Sequence, residues 1–149
     1  MSSSAESLPP PPRGSHVHEV RVFYGDTDQM GVAYYANYLR WFEMARNEFL
    51  RAVGIPYSQL ESAGYVLPVV EAHCRYQSPA RYDDLLQVEA WIAERGRAKV
   101  RFSYRVRRRG EPNPLAIGYT VHACLDRDST PRRLPPSLIA ALQRFEGLA

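Results

Sequence analysis

The chain has 149 residues, of which 45% are hydrophobic and 23% charged, and its formal net charge is +3. That length accommodates one domain with a core of useful size and excludes a second substrate domain. No apolar run approaches the roughly 20 residues that cross a bilayer, and the Ser- and Pro-rich start lacks the basic and apolar regions of a secretory signal. A cytoplasmic protein with no membrane insertion is therefore expected.

Residues 1–15 offer almost nothing to bury and read as a disordered tail, leaving residues 16–149 as the folded domain. His18 to Tyr24 alternates, with Val20 and Val22 on one face and Glu19, Arg21 and Phe23 on the other, which predicts a strand. The turn formers of Gly25-Asp26-Thr27-Asp28-Gln29-Met30-Gly31 interrupt it. A long helix is expected from about Val32 to Val53, because Tyr35, Tyr38, Leu39, Phe42, Ala45, Phe49, Leu50 and Val53 recur at three- and four-residue steps. Gly54 and Pro56 stop it, and a short helix follows over Tyr57 to Ala63.

From Gly64 the period changes to two. Tyr65–Tyr76, Asp84–Glu94, Ala98–Arg107 and Leu115–Asp126 read as four strands joined closely enough to be antiparallel neighbours. Matching the apolar faces Leu86/Val88/Ala90/Ile92 and Val100/Phe102/Tyr104/Val106 requires an even register, which predicts a three-residue loop, Arg95-Gly96-Arg97. Pro135 to Phe145 is a candidate last helix. The order of elements is that of an α+β layer, with one apolar helix lying on one antiparallel sheet.

Residues 95–109 hold eight Lys/Arg and no acid, leaving eleven basic against sixteen acidic groups elsewhere. One basic stripe on an acidic body suggests a local anion site, or else a solvated strand face. The even register puts Arg97, Lys99, Arg101, Arg105 and Arg107 on one face, with Glu89 placed to pair across strands. Cys74 and Cys124 form no C-x-x-C pair and read as reduced core thiols, with a structural disulfide as the alternative. His16, His18, His73 and His122 lack metal-ligand spacing, so no metal is expected. Ser78 and Cys74 have no base near them in the sequence, and no Gly-rich phosphate loop is present.

The chemistry concentrates in Asp26-Thr27-Asp28-Gln29-Met30-Gly31. Two carboxylates stand just before a helix N-terminus, whose unpaired N–H groups favour negative charge. One reading makes Asp and Thr simple caps, with Gly31 as a turn residue. The alternative is that one carboxylate attacks a carbonyl, or activates water against it, while those N–H groups hold the oxygen.

Tyr24-Gly25-Asp26-Thr27-Asp28-Gln29-Met30-Gly31-Val32-Ala33-Tyr34-Tyr35, followed by Asn37-Tyr38 and Phe42-Glu43-Met44-Ala45-Arg46, resembles the signature of the hotdog-fold acyl-CoA thioesterases. The similarity is to the 4-hydroxybenzoyl-CoA and Tol-Pal-associated types. It continues through Leu67-Pro68-Val69-Val70 and Tyr76-Gln77-Ser78-Pro79-Ala80-Arg81-Tyr82-Asp83-Asp84.

The resemblance implies a single hotdog domain, with a sheet of about five strands wrapped around the long helix. It also implies a homo-oligomer, a dimer or tetramer with active sites between protomers, and hydrolysis of an acyl-CoA without a cofactor. It places the catalytic carboxylate on Asp28, leaves Asp26 as a structural cap, and assigns carbonyl polarisation to the backbone N–H of Tyr35. The Tol-Pal type usually carries His at the position of Tyr35, whereas the hydroxybenzoyl type carries Tyr. Gly31 and Glu43 are substrate-binding candidates, Glu43 acting across the subunit interface or else pairing with Arg40 or Arg46. Arg97 and Lys99 are candidates for the coenzyme A phosphates. The rival readings are a thioester dehydratase, which would need a His missing at the helix start, and a nucleic-acid-binding module using the stripe. The stripe shows no aromatic-interleaved stacking face, so nucleic acid is not an expected partner.

Overall fold

The computed structural model describes residues 14–148. The tail expected over residues 1–15 thus lies outside the described residues except for its last two, as does Ala149 at the end of the domain. The elements are β1 (His16–Arg21), α1 (Asn37–Ala52), α2 (Tyr57–Ser62), β2 (Val69–Tyr76), β3 (Leu85–Arg95), β4 (Lys99–Arg108), β5 (Pro114–Ala123) and α3 (Pro136–Leu148). The strands form one antiparallel sheet in the order β1-β3-β4-β5-β2, and α1 lies on its inner face. This is the α+β hotdog arrangement, in a single domain.

The buried face of α1 is Tyr38, Trp41, Phe42, Ala45, Phe49 and Leu50, at the spacing that lines one side of a helix. It meets Leu86, Val88 and Ala90 of β3 and Val100, Phe102, Tyr104 and Val106 of β4, all buried. Phe42 stacks flat on Tyr104 with ring centres 4.3 Å apart, and Phe49 meets Phe102 edge-on at 5.7 Å. Gly118 of β5 lets α1 approach this closely. A Cβ there would lie 2.7 Å from Phe42 Cε2 and would also collide with the carbonyl of His73.

A buried polar chain ties the helix to the sheet. His122 Nδ1 lies 2.8 Å from the carbonyl of Leu67, which can only accept, so Nδ1 carries the proton. Its Nε2 then accepts from Thr120 Oγ1 at 2.8 Å, and Thr120 accepts from the Tyr104 hydroxyl at 2.7 Å. Arg46 of α1 donates to Tyr104 at 3.2 Å. Each hydroxyl and ring nitrogen along this relay is satisfied, with all donors pointing the same way.

Three expectations are corrected. The long helix begins at Asn37, not Val32, because Val32 and Ala33 bridge to Arg81 and Thr27, and Ala33 N–H donates to Ala80 O at 2.8 Å. Extended partners on both sides hold this backbone out of the helix. The strands β2 and β3 are not neighbours: β3 pairs with β1, and β2 lies at the far edge on β5. The chain between them passes the helix start and bonds there. The β3–β4 register is even, but it pairs Ile92 with Phe102 and Ala90 with Tyr104, two residues along from a turn at Arg95-Gly96-Arg97. An irregularity between Ile92 and Glu94 absorbs one residue, and the connection becomes Gly96-Arg97-Ala98.

The basic face is not simply a solvated one. Glu89 and Arg105 are buried and ion-paired, and Arg107 reaches the same carboxylate at 3.3 Å. Arg108 pairs with Asp84 at 3.0 Å and Glu111 at 2.8 Å. Both cysteines are free, Cys124 buried and Cys74 half-buried.

Candidate active site

Between β1 and α1 the chain makes a compact turn held mainly by Asp26. Its Oδ2 accepts the Phe23 N–H at 2.8 Å, and Oδ1 takes Arg40 of α1 at 2.7 Å. Its carbonyl receives the Tyr34 N–H and the Asn37 side-chain amide, both at 2.8 Å. Asp26 thus joins the turn to the first residues of α1, and both its carboxylate oxygens are occupied.

Asp28 stands differently. Its N–H donates to Val32 O at 2.9 Å and its carbonyl accepts Gly31 N–H at 3.0 Å, closing a tight turn. Gly31 sits at φ +76°, a left-handed conformation that suits glycine. The Met30 N–H donates to Asp28 Oδ1 at 2.8 Å, which fixes the carboxylate's rotation. No described residue donates to Oδ2. One carboxylate is a structural clamp, and the other is anchored by one oxygen with the second left over.

Asp28 and Tyr35 line one cleft of about 320 Å³, together with Val32, Tyr38, Tyr76 and Ser78. The N–H groups of Tyr35 and Ala36, just ahead of α1, have no acceptor among the described residues. Consecutive free donors before a helix are where a developing negative charge is best held. The Tyr38 ring meets Tyr76 edge-on at 5.0 Å, giving the cleft an aromatic wall. Ser78, with no base near it in the sequence, shares this cleft with Asp28.

The other candidates are not brought here within one protomer. Arg97 lines a larger cleft of about 830 Å³, shared with Leu134, Ile139 and Ala140 from α3 and the segment before it. That helix packs near the C-terminal half of α1, through Phe145 on Phe49. Lys99 lines a separate groove with Glu71 and Glu94. Glu43 is exposed in mid-helix. Neither pairing considered for it forms: Arg40 goes to Asp26, and Arg46 to Tyr104. Sequence reasoning put Tyr38 on the apolar helix face and gave no part in the site to Tyr76, Tyr38 or Asn37. The alternation of β2 puts Tyr76 on the same face as Cys74, but nothing local reveals that this face looks onto the helix start. Among the described residues no cluster of three or more His, Cys, Asp or Glu could hold a metal.

The sequence matches the thioesterase-like superfamily over residues 22–142. An acyl-CoA thioester hydrolase of Escherichia coli O6:H1 is 32% identical over 126 residues, spanning 84% of this chain and 93% of that protein. The crystal structure of a hypothetical protein from Thermus thermophilus is 36% identical, with a TM-score of 0.80, covering 87% of this chain and 98% of the other. That of a DHNA-CoA thioesterase from Staphylococcus aureus is 27% identical, with a TM-score of 0.83, covering 90% and 92%.

Proposed function

The chain belongs to the thioesterase-like superfamily and is a thioester hydrolase; we propose that its substrate is an acyl-CoA and that Asp28 is the carboxylate that drives the reaction. The thioester carbonyl oxygen lies against the Tyr35 N–H, which stabilises it as charge develops. Asp28 takes the proton of an attacking water, or itself attacks the carbonyl carbon. In the first route a C–O bond forms, the C–S bond breaks, and the thiolate of coenzyme A leaves and is protonated. In the second, an acyl–aspartyl anhydride forms as the thiolate leaves, and water then hydrolyses it to the same acid. No cofactor enters either route.

The single observation that supports this reading most is the shared cleft. It is lined by Asp28, an anchored carboxylate with one oxygen unengaged, and by Tyr35, whose backbone N–H has no acceptor among the described residues. Gly31 contributes by giving Asp28 its turn, at a left-handed φ that a side chain would strain.

The reading includes a homo-oligomer, at least a dimer. Strand β2 is an edge strand with Val69 and Val70 exposed, a surface suited to pairing with a second copy. Arg97, Lys99 and Glu43 lie away from the cleft of their own protomer, so they would serve substrate across such an interface.

The test is a panel of short, long and aromatic acyl-CoA substrates scored by thiol release. Wild type is expected to hydrolyse at least one, and Asp28→Asn to lose at least ~10²-fold in kcat while keeping its oligomeric state. Turnover of Asp28→Asn at the wild-type rate would refute the assignment. In a single turnover in ¹⁸O-water, label recovered in Asp28 marks an anhydride opened at its aspartyl carbonyl, whereas label in the product acid alone fits either route.

A further inference from the structure

We propose that Tyr76 is a positioning residue for this hydrolysis: from the edge strand β2, its phenol holds the Tyr35 carbonyl and thereby sets the backbone donors ahead of α1. The proposal rests on the thioesterase reading of the Asp28 cleft.

Just before α1, Tyr34 is tied only within the turn and the helix start. The Tyr34 N–H goes to Asp26 O at 2.8 Å, and Tyr34 O receives the Asn37 N–H at 3.0 Å. The next carbonyl, Tyr35 O, has a weak local donor, the Tyr38 N–H at 3.4 Å. Its strong partner comes from 41 residues away: the Tyr76 hydroxyl donates to it at 2.7 Å. The Tyr35 carbonyl and the Ala36 N–H belong to one planar peptide unit. A bond that fixes the carbonyl therefore fixes the direction of that N–H and limits rotation of Tyr35 itself, whose N–H is the proposed donor to substrate.

The phenol is well suited to a holding role. Its ring is braced edge-on against Tyr38, whose own ring packs on Trp41 in the core. Burial, followed by its contact with Cys74, raises the Tyr76 pKa, so the hydroxyl keeps its proton and remains a donor across the working pH range. Tyr76 also lines the cleft beside Asp28. The clamp thus spans the two elements that bound the cleft, the edge strand and the helix start. An oxyanion donor that must be in place before charge develops depends on such a brace, because displacement by a fraction of an ångström weakens it.

The test compares wild type, Tyr76→Phe, Asp28→Asn and Tyr119→Phe on the acyl-CoA that wild type cleaves best. Tyr119 donates to Glu71 at 2.9 Å on the other face of the sheet and controls for loss of a phenol outside the cleft. Tyr76→Phe is expected to lower kcat about tenfold with KM within about twofold, since the loss falls on the transition state. Both limbs of its pH profile should stay where wild type has them, because Tyr76 moves no proton. Tyr119→Phe should match wild type. Unchanged kcat in Tyr76→Phe, with Asp28→Asn inactive, overturns the positioning role and leaves the thioesterase reading standing. A rise in KM at constant kcat makes Tyr76 a substrate contact and also overturns it. A displaced alkaline limb would make Tyr76 a proton donor and overturn the positioning role as well. Full activity in Asp28→Asn would remove the thioesterase mechanism and the Tyr76 proposal together.

Discussion

Asp26 and Asp28 are chemically identical and two positions apart, yet their surroundings separate them. Asp26 holds the Phe23 N–H and Arg40, whereas Asp28 holds the Met30 N–H through one oxygen. Arg40 is half-exposed, so its ion pair contributes little, and the cap on the Phe23 N–H contributes more. Asp26→Ala is therefore expected to cost about 1–2 kcal/mol in a urea melt and to lower kcat less than Asp28→Asn does. The reverse ranking in turnover would exchange their roles. His122 makes a second test at this scale. Burial lowers its pKa from 6.5 to about 4, with Arg46 adding to the effect and the Leu67 carbonyl opposing it. Thr120, the Phe102 ring, Arg46 and Leu67 are the groups it faces. Below pH 6.5 the unfolded chain protonates this imidazole while the folded chain does not. Its contribution is complete above that pH, is lost as pH falls toward 4, and is then flat. The gap corresponds to roughly 3 kcal/mol. His122→Gln, which cannot titrate, should show a pH–stability profile shallower by about that amount between pH 6.5 and 4; parallel profiles would contradict the burial argument.

At the scale of elements, α1 and β5 meet through the missing side chain of Gly118. Its Cβ position is occupied by the Phe42 ring and the β2 backbone, so neither neighbour can yield without unstacking Phe42 from Tyr104 or opening the β2–β5 ladder. Gly118→Ala is expected to destabilise by about 1–3 kcal/mol, the range for overpacking a filled core, measured as a lower urea midpoint. Stability equal to wild type would mean that β2 shifts freely. Since β2 also carries Tyr76, a shifted β2 should lower kcat in the same variant. The elements themselves were legible from hydrophobic period. The α1 face and the inner faces of β3 and β4 follow the spacing of apolar residues, and α2 and α3 stand where short helices are expected, within one or two positions at most ends. The start of α1 was not legible, because Val32 and Ala33 fit a helical period equally well. Bonds from Ala80 and Arg81, distant in sequence, join those from Thr27 and Asp28 in the preceding turn to hold them extended.

For the molecule as a whole, the basic stripe is the feature whose meaning changes most. At least four of its eight cations, Arg105, Arg107, Arg108 and Arg109, pair with Glu89, Asp84, Glu111 or Glu19, and Arg101 lies over the Tyr119 ring at 3.7 Å. At least half of the stripe is thus paired within the protomer. Duplex DNA binding is expected to be weak near physiological salt, with a log–log salt slope much shallower than the −4 to −5 of about five contacts. Submicromolar binding with a slope that steep would favour a nucleic-acid role. Residue spacing and one contiguous motif were enough for the α+β class, the apolar face of the helix, the pairing of Glu89 with its strand neighbours, and Asp28 as the carboxylate to examine. Each of these is written locally along the chain. Strand order, the late start of α1, the bonds from Arg40 and Asn37 that tie Asp26 to the helix, and the arrival of Tyr76 at the Tyr35 carbonyl came only from tertiary contacts. These depend on which distant segments meet. Hydrophobic period specifies which face of an element is buried, but not which other element lies against it.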